Sequence, residues 1–112
     1  MSSPYRRQTD AVIVTVGVGT AAVTPVPDGA IPKNASSFQV VNSSMCYVRL
    51  KGFKDANGTL TDGQGWLFPP GHVGVYATQQ PTHMMALAVP RPGYPVSADM
   101  IVPLEVNYGY GI

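Results

Sequence analysis

Ser37-Phe38-Gln39-Val40-Val41-Asn42-Ser43-Ser44-Met45-Cys46-Tyr47-Val48-Arg49-Leu50-Lys51 is the stretch that decides the fold class. Both ends are rich in β-branched and aromatic residues, which suit a pleated, half-buried surface. In the second half, Cys46, Val48 and Leu50 alternate with Tyr47, Arg49 and Lys51. A period of two marks a strand with one buried face and one solvated face. The polar link Asn42-Ser43-Ser44 between two such runs predicts a hairpin, with 37–42 paired to 46–51.

The same pattern extends in both directions. Val12, Val14 and Val16 share one face of a strand over 11–17, and Gly17 and Gly19 bracket a bulge or bend. A short strand follows over 21–24. Downstream, strands are predicted over 66–68, over 72–77 with Val73 and Val75 on one face, and over 82–89 with Met85, Leu87 and Val89 on one face. The last covers 100–108, with Val102, Leu104, Val106 and Tyr108 aligned. Proline-rich segments at 25–35 and 90–95 cannot serve as central strands. Asn57-Gly58 and Asp62-Gly63 mark turns within a long loop over 52–65. No stretch keeps a helical period with caps. The expected fold is therefore all-β: one sandwich or barrel over 11–112 with seven or eight short strands, preceded by a flexible N-terminal arm over 1–10.

Composition narrows the function classes. Charged residues are 12% of the 112-residue chain, about half the usual share. Charge is depleted where neighbours cover a surface, so a place in an assembly is expected. The net charge of +1 leaves no footprint for nucleic acid. The opening ten residues are polar and carry no apolar core of a secretion signal, and no apolar run is long enough to span a membrane. The single Cys46 rules out an intrachain disulfide and reads as a small buried hydrophobe suited to a reducing compartment.

The search for chemistry is negative. His72, His83 and Cys46 make no short-spaced ligand pair, so no metal is expected. Asp55, Asn57 and Asp62 offer oxygen ligands on a turn, but position twelve of a calcium loop would be Trp66. The six acids lie mostly in loops, and no nucleophile elbow, P-loop or dinucleotide fingerprint is present. No cofactor and no catalytic residue are assigned, and the chain is read as a non-enzyme. Trp66, Phe68, Tyr76, Tyr108 and Tyr110 remain as aromatics for a core, a sugar platform or a stacking face. Tyr5, Arg6 and Arg7 in the arm, with Tyr94 and Tyr110, are the candidate partner-contact residues.

The order of these parts resembles small virion structural proteins of tailed bacteriophages. It runs from a Val-rich first strand through 38–50, Trp66-Leu67-Phe68-Pro69-Pro70-Gly71 and Thr82-His83-Met84-Met85-Ala86-Leu87 to a Gly109-Tyr110-Gly111 tail. The nearest analogue is the capsid decoration, or cement, protein. That resemblance implies a jelly-roll-like sandwich of antiparallel strands on the capsid surface of the virion, made in the host cytoplasm. It also implies that the chain staples neighbouring major capsid subunits and meets copies of itself, as a dimer or trimer, with neither nucleic acid nor membrane as partner. The alternatives are a tail, collar or fibre-attachment module, or a carbohydrate-binding sandwich that uses Trp66.

Overall fold

The computed structural model describes residues 5–27, 30–77, 80–97, 100 and 102–110. Ten short strands and no helix appear among them: β1 (Arg6–Arg7), β2 (Val12–Ile13), β3 (Gly17–Val18), β4 (Ala22–Pro25), β5 (Ser37–Asn42), β6 (Tyr47–Phe53), β7 (Trp66–Phe68), β8 (Val73–Ala77), β9 (His83–Val89) and β10 (Leu104–Tyr110). They form two packed sheets. The first runs β1-β10-β5-β8, with β2 also on β10; the second runs β3-β9-β6-β7, with β4 also on β9.

The pairing nests. With β1–β2 taken as one interrupted strand and β3–β4 as one segment that doubles back along the same edge, the first pairs with the last (β10) and the second with the next-to-last (β9). The third, β5, pairs with β8, and β6 pairs with β7 at the centre. Inward residues alternate with outward ones along every long strand. Phe38, Val40, Leu104, Val106 and Tyr108 from the first sheet meet Val48, Leu50, Phe68, Met84, Ala86 and Ala88 from the second. Burial of such side chains is worth roughly 1.5–3 kcal/mol each for the larger ones.

The predicted hairpin between 37–42 and 46–51 does not form. β5 pairs with β10 and β8, and β6 pairs with β9 and β7. The link between β5 and β6 crosses from sheet to sheet instead. It lacks the Asn-Gly or Asp-Gly pair that a two-residue hairpin turn needs, and Asn42 turns its side chain into the protein, where it is fully buried. The strand expected over 11–17 is likewise divided. Val14 is buried, and its N–H donates to Leu104 O at 3.0 Å at the end of the first sheet, before the chain crosses to the second at β3. Gly17 lies so close to the reversal into β4 that a Cβ there would run into the Thr20 carbonyl. That reversal makes β3 parallel to β9, so the second sheet is mixed rather than wholly antiparallel, and the strands number ten rather than seven or eight.

The opening segment also differs from a free arm. Arg6 and Arg7 pair with Tyr110 and Gly109, and Gln8 N–H donates to Tyr108 O at 2.8 Å. Thr9 Oγ1 accepts from Tyr108 N–H at 2.9 Å. An exposed β10 edge would leave a row of unpaired backbone groups, and this segment satisfies them. Residues 1–4 lie outside the described residues.

Candidate functional site

The two outer faces of the sandwich are unlike. The second sheet is covered in part, for Val23, opposite Met85 on its outer face, is 39% exposed. Met85, Leu87 and Val89, the aligned face of β9, point outward rather than into the core, yet Met85 and Val89 are buried. Two loops lie alongside this face, and a carboxylate ties them together. Asp62, from the loop after β6, accepts from Arg91 Nη1 and Nη2 at 2.7 and 2.9 Å and from Arg49 Nε at 3.0 Å. These hydrogen bonds hold its carboxyl well below the usual aspartate range. Leu60 of the same loop is buried, and Tyr94 packs edge-on against Tyr47 with ring centroids 5.3 Å apart.

The first sheet is bare over its middle. Its register sets Ile13, Glu105, Val41 and Val73 in one row across four strands. Ile13 is 65% exposed and Val73 56%. Apolar β-branched side chains on an open sheet face, with a single carboxylate among them, are what an interface core looks like before its partner arrives. Sequence alternation alone could not find this row. It sets faces within a strand, but the neighbours come from pairings 32 to 92 residues apart in sequence, such as Val41 with Val73 and Ile13 with Glu105.

The next row is polar and closed. Asn107 is buried; its Oδ1 accepts from Tyr5 OH at 2.6 Å and its Nδ2 donates to Gln39 Oε1 at 3.1 Å. Burial pushes the Tyr5 phenol above its ordinary value, partly offset by Arg7. Ser37, in the row after that, is buried with an unpartnered hydroxyl.

The five expected contact residues are thus divided. Tyr5, Arg6, Arg7 and Tyr110 come together where β1 meets the end of β10. Arg6, Arg7 and Tyr110 are exposed there, whereas Tyr5 is half-buried and committed to Asn107. Tyr94 lies apart from them, on the second sheet and against Tyr47 at the other end of the sandwich.

The remaining aromatics seal one side of the sandwich, between the β7 and β8 edges. Phe38 meets Trp66 at 5.4 Å and Tyr76 at 5.7 Å; Phe68 meets Tyr76 at 5.5 Å and stacks on His72 at 5.6 Å. His72 is held by Tyr76 OH at 2.6 Å and His83 by Thr82 Oγ1 at 3.0 Å. Cys46 is buried, as its alternation predicts. Among the described residues no three of His, Cys, Asp and Glu converge as metal ligands would. The chain matches no known protein family, no curated protein and no solved structure.

Proposed function

We propose that this chain works by contact, as a virion structural protein that lies on a capsid shell and bridges major capsid subunits. The observation that carries this reading is the bare row Ile13, Glu105, Val41 and Val73, set against a second sheet on whose outer face Met85 and Val89 are already buried. Low charge supports the same reading, because charge is depleted at interface cores. The nested pairing also fits the jelly roll that the phage resemblance implies, a sandwich frequent in viral capsid proteins. Partners would be the major capsid protein and further copies of this chain, as a dimer or trimer in the particle. Weak contacts repeated by shell symmetry add up without any chemistry.

The test places charge on the bare face. Ile13→Asp with Val73→Asp alters two side chains that are more than half exposed, so the melting temperature should hold within a few degrees, about 4 °C. Binding to purified shells lacking the protein, followed by sedimentation, should fall at least about tenfold, given that buried unpaired charge is costly. Undiminished binding overturns the assignment of this face. Copy number in intact particles should approach that of the shell subunit; a few copies per particle would point to a tail, collar or fibre-attachment module. Glycan binding lost on Trp66→Ala in a folded protein would point to a carbohydrate module.

A further inference from the structure

The sheets part at the end of the sandwich away from the β5–β6 crossover. A cavity of about 500 Å³ opens there between them, a volume typical of sites for small organic ligands. Phe38 and Tyr108 of the first sheet and Leu50 and Met84 of the second make its inner walls, all of them buried. Trp66, 39% exposed, stands at the rim with Lys51 and Lys54. Among the described residues no carboxylate belongs to the lining, and the two formal charges there are positive.

Inside, one polar group is poorly served. Tyr108 is 1% exposed, and its hydroxyl reaches a thioether, Met84 Sδ, at 3.6 Å. Among the described residues it meets no oxygen or nitrogen acceptor. A sulfur is a weak acceptor, and a buried phenol usually finds a better one. Burial holds this phenol protonated, with its pKa pushed up to about 12, so it remains a donor.

We propose that this cavity binds a flat, apolar organic anion whose inner end carries an ether or carbonyl oxygen. The aromatic body lies among Phe38, Leu50, Met84 and Trp66, the inner oxygen accepts from Tyr108 OH, and the acid group stays at the lysine-bearing mouth. A sugar would find too few hydrogen-bonding groups on these walls, because each buried hydroxyl without a partner is costly.

Three probes separate the parts of this inference by isothermal titration calorimetry: 6-methoxy-2-naphthoate, 2-naphthoate and 2-methoxynaphthalene. The full chain should bind the methoxynaphthoate saturably at one site and more tightly than either partial probe. Tyr108→Phe keeps the ring, and a melting curve checks that the fold is kept. That variant should bind methoxynaphthoate about five- to tenfold more weakly and 2-naphthoate within twofold of the unaltered protein. Adding salt should weaken the two acids and leave 2-methoxynaphthalene unchanged. Absence of saturable binding by all three, or equal losses for both acids in Tyr108→Phe, overturns the proposal. Shell binding plays no part in these measurements, so the outcome is independent of the decoration reading.

Discussion

Asn42 joins more of the molecule than any apolar residue beside it. Its Nδ2 faces three carbonyl oxygens, of Cys46, Phe68 and Pro69, at 3.0–3.1 Å, so its two hydrogens serve three acceptors. Its Oδ1 accepts from Ser44 N–H and Oγ–H at 3.1 and 2.6 Å. Ser44 N–H can do nothing but donate, which fixes the orientation of the amide. One side chain thereby holds the end of β5, the start of β6 and the corner between β7 and β8. Asn42→Ala removes this shared donor, leaving Pro69 O to His72 N–H at 3.1 Å and Cys46 O to Ser44 Oγ at 3.1 Å, and should cost about 2 kcal/mol in urea unfolding. Asn42→Asp should cost more at neutral pH, since a carboxylate would face the same three oxygens; a loss smaller than that of Asn42→Ala would contradict this geometry. The sequence gives no hint of this role. Asn42-Ser43-Ser44 reads as solvated turn chemistry, and a polar residue in a link says nothing of which carbonyls will surround it.

Strands are legible in this sequence where their partners are not. Val48 and Leu50, or Leu104, Val106 and Tyr108, declare an inward face by alternation, and all five are buried. Alternation cannot tell which strand lies alongside, so 37–42 and 46–51 look like a hairpin although they belong to opposite sheets. The opening segment shows the converse. Residues 5–10 carry little strand signal, because the hydrogen bonds that order them come from β10, about a hundred positions away. Gln8→Pro tests the docking directly. Proline removes the N–H that donates to Tyr108 O, which should lower stability by about 1–2 kcal/mol, whereas Gln8→Ala should change it by less than about 0.5 kcal/mol. If the segment hung free, thermal melting would not distinguish the two variants.

At the scale of the whole molecule, the two sheets solve the same problem differently. Each has an outer face with apolar residues; the second sheet buries Met85 and Val89 on its own and leaves Val23 exposed, and the first leaves Ile13 and Val73 open. Asp62, the shared partner of Arg49 and Arg91, ties the two loops beside the second sheet together. Because those arginines depress the folded-state pKa of Asp62, its contribution to stability is fully present above the ordinary aspartate pKa of about 4. That contribution is lost as pH falls through the lower folded-state value. Asp62→Asn removes the charge and should lower the melting temperature at pH 7 by no more than about 4 °C, as the group is exposed. The gap between the two proteins should narrow steadily below about pH 4. High salt should narrow it at pH 7 as well, through screening. A gap constant from pH 7 to pH 2 would mean that Asp62 acts through shape or neutral hydrogen bonding, and that the loops over Met85 and Val89 are held by Leu60 and the Tyr47–Tyr94 contact instead.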